Sequence, residues 1–285
     1  MAFRRLDADT KPIPGSRVLC WGRPNTYKTT AIVETAERPI QFLSLPGEKG
    51  HETIPAVEGI SSHVWEVDDL LSVSPSTVLR EVETITAEII SGKHGLFATI
   101  AVEGLHKFYD YCYDDALAGL ELEDAGRKNP TGTEGLRGPA YGLSHKRVMR
   151  YLNKLSASTA RNVIVTCWEA DRKDDPKDRS KNAPTHKAPA LPGQLADAIT
   201  GEYGASVRST LKRTPTGVSG IWQILPDPQV QGCAVKVPRE IALKLPSKMP
   251  QHYGMLKALL AGRSVAEVKE MFPEALTTKH EETKA

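Results

Sequence analysis

The sequence predicts an α/β fold: a mostly parallel central sheet flanked by helices, extended on its C-terminal side by antiparallel strands. Three observations carry this. Strand-length apolar runs alternate with helical periods along the first two-thirds of the chain. Two of those runs, Gly95–Val102 and Asn162–Trp168, are apolar almost throughout, as strands buried on both faces are. Beyond Ala205 the runs follow one another directly, as in a meander or hairpin.

The elements fall in order. Val18–Trp21 reads as a buried strand and Thr30–Ala36 as the opening of a helix. Pro39–Leu45 is a short strand ended by Pro46-Gly47, and His63–Val67 a short or edge strand. Pro75–Ser91 places Val78, Val82, Ile85, Ile89 and Ile90 at helical spacing, with Ser74 or Ser76 as cap. Gly95–Val102 suits a central strand. His106–Leu143 reads as a helical and loop region, rich in Gly and charge in its second half, and Tyr141–Ser158 as a helix. After the strand Asn162–Trp168, the charged, Pro-rich stretch Asp171–Pro192 reads as a mobile loop. Gln194–Thr200 is helix-like; Ala205–Arg213, Gly220–Leu225 and Ala234–Val237 are strands; Tyr253–Leu260 and Val265–Phe272 are short helices. The expected organisation is an N-terminal arm (1–14), a core domain (15–245), a helical extension (246–276) and a polar tail (277–285).

At 285 residues and 40% hydrophobic, the chain can bury one large core. A formal charge of +2 is too mild to announce nucleic-acid binding, so any basic site must be local. Cys20, Cys112, Cys167 and Cys233 are widely spaced, which argues against a zinc site or a disulfide framework. With no signal-like N-terminus and no long apolar run, the expectation is a soluble, cytoplasmic protein without a membrane partner.

The first strand runs into Gly22-Arg23-Pro24-Asn25-Thr26-Tyr27-Lys28-Thr29-Thr30. This is the phosphate-binding loop pattern G-x-x-x-x-G-K-[ST] with Tyr27 in place of the second glycine. The relaxed spacing arises by chance in roughly one chain in seven of this size, but the strand before it and the helix after it are the context the motif requires. Gly22 would let the backbone approach a phosphate, Lys28 would reach the β- and γ-phosphates, and the Thr29 hydroxyl would bind Mg²⁺. A left-handed backbone at Tyr27, free for glycine, costs a tyrosine about 1–2 kcal/mol. Glu103, ending the strand Thr99–Val102, is the carboxylate placed for the Mg²⁺ water shell, or else a strand-ending surface acid. Glu48 is placed as a catalytic base or as a solvated turn residue. Thr166 could sense the γ-phosphate from a strand's carboxyl end or serve as a core hydroxyl.

The set VLCWGRPNTYKTT, FLSLPGEKG, TIAVEGL, NVIVTCWEADRK and PALPGQLADAITGEY resembles the RecA-like ATPases encoded by bacteriophages, the Sak-type recombination ATPases and their AAA-like relatives. The resemblance covers about residues 15 to 215. It implies a RecA-like P-loop NTPase core that binds ATP and Mg²⁺ and acts in DNA recombination, single-strand annealing or replication. It implies Lys28 and Thr29 for phosphate and Mg²⁺, Glu48 for the catalytic glutamate, and Glu103 in place of the usual aspartate. It also implies assembly as a ring or filament, with single-stranded DNA and a phage annealing or single-stranded-DNA-binding protein as partners. Lys212-Arg213, at a strand end, could reach the γ-phosphate of a neighbouring protomer or simply be solvated. Two loops could contact DNA: Gly126–Arg150, with Arg127, Lys128, Arg137, Lys146 and Arg147, and Asp171–Lys187, with Arg172, Lys173, Lys177, Arg179, Lys181 and Lys187. Tyr109, Tyr111 and Tyr113 do not share one helix face, which favours core packing of one or two of them over base stacking. Two other readings stay open: a non-hydrolysing nucleotide-binding interaction module with decayed motifs, and a small-molecule kinase whose lid is the Arg172–Arg179 loop.

Overall fold

The computed structural model describes residues 16–54, 58–64, 73–158, 160, 162–174, 180, 185–214 and 217–276. The expected arm and tail, Lys177, Arg179 and Lys181, and the end of the His63–Val67 strand lie outside the described residues. In chain order the elements are β1 (Arg17–Gly22), α1 (Lys28–Thr35), β2 (Ile40–Ser44), β3 (Ile60–Val64), α2 (Pro75–Ile90), β4 (Thr99–Glu103), α3 (Leu105–Ala125), α4 (Thr133–Ser156), β5 (Asn162–Lys173), β6 (Thr185–Pro189), α5 (Gly193–Glu202), β7 (Ala205–Thr214), β8 (Gly217–Gln223), β9 (Ala234–Val235), α6 (Arg239–Ala242), β10 (Lys248–Pro250), α7 (Tyr253–Leu260) and α8 (Val265–Met271).

The sheet order is β10-β8-β7-β1-β5-β4-β2-β3, with β6 paired to β5 and β9 to β7. From β7 to β3 every pairing along this path is parallel. The β7–β8 and β8–β10 pairings are antiparallel, so the sheet changes character on its C-terminal side. This is the architecture that the sequence predicts.

Two buried cores explain why the central strands are apolar on both faces. Leu19, Trp21, Leu43, Ile100, Val102, Val163 and Val165 face one core, closed by α2, α3, α4 and α5. Their neighbours Val18, Cys20, Ile40, Phe42, Ala101 and Ile164 face the other, closed by α1, α7 and α8. The strand period of two therefore sorts consecutive residues into opposite layers. Segment 246–276 completes the second core: β10 extends the sheet, and Tyr253, Met255, Leu256 and Leu259 pack with Ala31 and Ile32 of α1. The Tyr253 amide donates to Thr35 Oγ1 at 2.7 Å, tying α7 to α1.

Local chemistry agrees with these boundaries. Ser74 Oγ accepts the Thr77 amide at 3.3 Å, with Pro75 opening α2. Ser264 and Glu267 form a reciprocal capping box on α8. All four cysteines are buried and free. Among the described residues no helix is long and apolar enough to cross a membrane.

Two loop expectations need correction. Within Gly126–Arg150, residues from Thr133 onward lie in α4, which continues to Ser156 with Pro139 on its solvent side. Buried Ser144, Val148, Tyr151 and Leu152 lie in the stretch expected to be helical, and Leu136 and Ala140 extend their packed stripe back into the part that the Gly-rich composition disguised. Arg147 is held there by Glu83 at 2.9 Å and Asp115 at 2.8 Å, so it is an internal tie between helices. Asp171–Pro192 is likewise ordered at both ends. β5 continues to Lys173 and pairs antiparallel with β6, from Glu169↔Pro189 to Lys173↔Thr185. Tyr109 and Tyr111 pack on the first core as expected.

Replacing Leu256, fully buried on α7, with alanine should lower the unfolding free energy by about 2–5 kcal/mol. Denaturant titration by circular dichroism should show this within one cooperative transition. Separate unfolding of a C-terminal unit would contradict the shared core.

Candidate functional site

The site lies along the carboxyl ends of β1, β2 and β4, beside Thr166 in the longer strand β5. β1 ends at Gly22, where a Cβ would overlap the Ser209 carbonyl of β7, so only glycine allows this approach. The chain then turns through left-handed backbone at Asn25 (φ 58°) and at Tyr27 (φ 59°, ψ 25°). Tyr27 thus holds the conformation that glycine would hold, at a cost of about 1–2 kcal/mol. It gives α1 no side-chain cap, which leaves the first-turn amides without one at the position where helices receive anions. Arg23, Pro24 and Asn25 are exposed, Thr30 is half-buried, and Thr26 Oγ1 donates to the Arg23 carbonyl at 2.9 Å.

Lys28 is buried, and its ammonium donates to the carbonyls of Gly22 at 3.1 Å and Arg23 at 2.7 Å. Desolvation pulls its pKa down, while Glu48 and Glu103 are among the groups that oppose this. The Thr29 hydroxyl donates to Glu103 Oε1 at 2.5 Å, and Ser44 Oγ approaches Oε2 at 3.4 Å. A Cβ at Gly50 would overlap the Glu103 carboxylate, so the chain gives this group a cradle. A hydroxyl and a carboxylate, both hard oxygen donors on facing elements, fit Mg²⁺ shared with a polyphosphate.

Glu48 and His106 form a second pair. Their Oε1 and Nε2 atoms are 3.2 Å apart, yet the angles make no hydrogen bond, and among the described residues both ring nitrogens of His106 and Oε1 of Glu48 lack a hydrogen-bond partner. Burial, then the nearby Glu103 charge, pushes the Glu48 carboxyl up to about 7. Burial lowers His106 to about 3, so the ring is neutral and the contact is not an ion pair near pH 7. The His106 ring lies 4.5 Å from that of Trp168, which Lys107 covers at 5.5 Å. Gly104, with φ 92°, leaves room for the Glu48 side chain and donates its amide to Thr166 Oγ1 at 3.2 Å.

The geometry therefore gathers Lys28, Thr29, Glu48, Glu103 and Thr166 at one edge. Lys212 and Arg213 are exposed on β7, past the level at which Ser209 aligns with Gly22. Arg172 does not suit a sweeping lid: it donates to the carbonyls of Pro189 and Leu191, fastening β5 to the β6–α5 connection.

Several site residues escaped the sequence reading. His106 and Ser44 lie close to recognised motifs; for Ser44 a polar residue in the near-apolar Phe42–Leu45 was the available signal, and for His106 it was only its place three residues after Glu103. Glu169 is different, since the sequence already shows Trp168-Glu169 continuing the edge at Thr166; it pairs with Arg208 at 2.7 Å and Arg23 at 3.4 Å. Gln251, whose amide reaches the Thr26 carbonyl at 2.9 Å across 225 residues of sequence, had no local signal.

The AAA domain family model matches residues 15–230. No curated protein matches the sequence. Similar solved structures include the flagellar accessory protein FlaH from Methanocaldococcus jannaschii, with 12% identity, TM-score 0.38, and coverage of 74% of this chain and 78% of that one. A KaiC-like protein from Pyrococcus horikoshii OT3 is another, with 13% identity, TM-score 0.33, and coverage of 73% and 78%.

Glu48 gives a stability test with a definite sign. Its folded pKa, about 7, exceeds the ordinary 4.5, so between those values the folded state keeps a proton that the unfolded chain has released. Stability falls as pH rises through that window and then levels. Glu48→Gln lacks this loss and should gain on the parent by about 1–3 kcal/mol between pH 4.5 and pH 8. Urea unfolding across pH measures it; a constant difference would contradict the buried-carboxyl account.

Proposed function

This chain belongs to the AAA domain family, and we propose that it binds ATP with Mg²⁺ and hydrolyses it at the carboxyl edge of the parallel sheet. The observation that carries the reading is the joined pair of half-sites: the Lys28-Thr29 loop of β1–α1, and Glu103 of β4, linked by the 2.5 Å hydrogen bond.

Lys28 would exchange the Gly22 and Arg23 carbonyls for the β- and γ-phosphate oxygens, a better partner for a buried ammonium. Thr29 and Glu103 would hold Mg²⁺, which supplies charge neutralisation on the phosphates. Glu48, with its carboxyl near 7, is suited to take a proton from the attacking water at neutral pH. Thr166 Oγ1 already accepts the Gly104 amide and keeps its own proton to donate towards the γ-phosphate. The reading of a decayed, non-hydrolysing loop loses its main support, because Tyr27 keeps the backbone shape of a glycine.

The finer proposal follows the resemblance: a RecA-like phage protein of the host cytoplasm, acting in recombination, annealing or replication as a ring or filament on single-stranded DNA, with an annealing or single-stranded-DNA-binding partner. What supports assembly is the exposure of Lys212 and Arg213 beyond the phosphate loop along the sheet edge. From there they would reach a γ-phosphate held by the next protomer, as an arginine finger does. Of the DNA-contact candidates among the described residues, Arg127, Lys128, Arg137, Lys146 and Lys173 are exposed.

Lys28→Ala should weaken ATP binding by about tenfold or more, measured by calorimetry with Mg²⁺ present. Unchanged affinity would overturn the nucleotide reading.

A second experiment concerns the interface. The double variant Lys212→Ala/Arg213→Ala should bind ATP like the parent and lose most phosphate release. Mixing it with Lys28→Ala subunits should restore part of the activity. Full turnover by the double variant, or a parent that stays monomeric with ATP and single-stranded DNA, would defeat the trans-acting role.

A further inference from the structure

The Thr26 carbonyl is held from outside the loop by two donors on distant parts of the chain. Ser209 Oγ of β7 donates to it at 2.8 Å, and Gln251 Nε2, between β10 and α7, donates to it at 2.9 Å. The Gln251 amide nitrogen also lies 2.5 Å from Ser209 Oγ and 3.4 Å from each of the Thr210 and Ile221 carbonyls. An environment of oxygens settles which end of the amide points inward: the nitrogen does, as donor. The other end, Oε1, has no hydrogen-bond partner among the described residues and packs against Gly220, where a Cβ would overlap it.

The held carbonyl belongs to the peptide that joins Thr26 to Tyr27, the residue with the costly left-handed backbone. A trans peptide is planar, with its C=O and N–H pointing opposite ways. Fixing the carbonyl towards β7 and the C-terminal segment aims the Tyr27 N–H away from both. In a phosphate loop that peptide's N–H belongs among the donors to the anion. Glycine would hold this orientation without cost; tyrosine gains by relaxing out of it.

We infer that Gln251, with Ser209, is a positioning residue of the phosphate loop: it holds the Thr26–Tyr27 peptide in the anion-binding orientation and so compensates for the absence of the second glycine. The inference rests on the nucleotide-binding reading above and adds a role for the C-terminal segment. Gln251 reaches the loop because β10 pairs with β8 (Pro250↔Ile221), its own amide donates to the Gly220 carbonyl at 3.2 Å, and α7 starts two residues later. The segment that completes the second core thereby also shapes the loop.

The test is a double-mutant cycle on ATP affinity, read by calorimetry with Mg²⁺. Gln251→Met keeps the side chain's length and removes the donor. It should weaken ATP binding about tenfold in the parent, as the loss of a tether on one anion-binding peptide would, while the thermal midpoint confirms folding. In the Tyr27→Gly background the same change should cost less than about twofold, because glycine keeps the turn unaided. Ser209→Ala removes the other donor from a different element and should show the same dependence on Tyr27. Equal losses in both backgrounds would mean that Gln251 only packs, and would overturn the inference while leaving nucleotide binding intact. No loss in the parent would overturn it equally. A parent that binds no ATP would overturn this inference and the nucleotide reading together.

Discussion

Burial of the central strands on both faces is the constraint on which everything else depends. β1, β2, β4 and β5 carry apolar side chains on consecutive residues, so helices must cover both sides of the sheet. Parallel strands with helical crossovers then present all their carboxyl ends at one edge. Lys28-Thr29, Glu48 and Glu103 follow or end three strands and Thr166 lies within a fourth, yet they meet because those strands are neighbours in the order β1-β5-β4-β2.

The second consequence is electrostatic. The same burial that assembles the edge withdraws water from one ammonium and two carboxylates. Each charge is accommodated differently. Lys28 takes the loop's own carbonyls, and Glu103 takes the hydroxyls of Thr29 and Ser44. Among the described residues, Glu48 Oε1 has the neutral His106 ring beside it in poor hydrogen-bonding geometry and no hydrogen-bond partner. It therefore holds its proton up to about pH 7. A group poised there responds to any charge that enters the site: an added cation favours its ionised form, an added anion its neutral one.

The loop joins these themes. Its left-handed turn at Tyr27 is unfavourable for the residue itself, and the tertiary structure opposes its relaxation from outside, through β7 and the segment after β10. Backbone strain persists when the surroundings over-determine it. Here the surroundings are a strand beside β1 and a residue more than two hundred positions away in sequence.

The sequence by itself determined the sheet and most of its helices, because period-two and period-3.6 patterns are local and survive without neighbours. It determined the loop at Gly22–Thr30 and the acid at Glu103 for the same reason: strand, turn and helix signals are contiguous there. Its reading stopped short in the first half of α4, before Tyr141, where Gly and charge hid Leu136 and Ala140, and at β5, which continues past its apolar residues as a ribbon paired with β6. Only the tertiary structure decided which polar residues share the site. Ser44, His106, Ser209 and Gln251 carry no motif, and their roles come from strand order and from the docking of α7 on α1. Such contacts are set by packing between elements far apart in the chain, a property that no local pattern encodes.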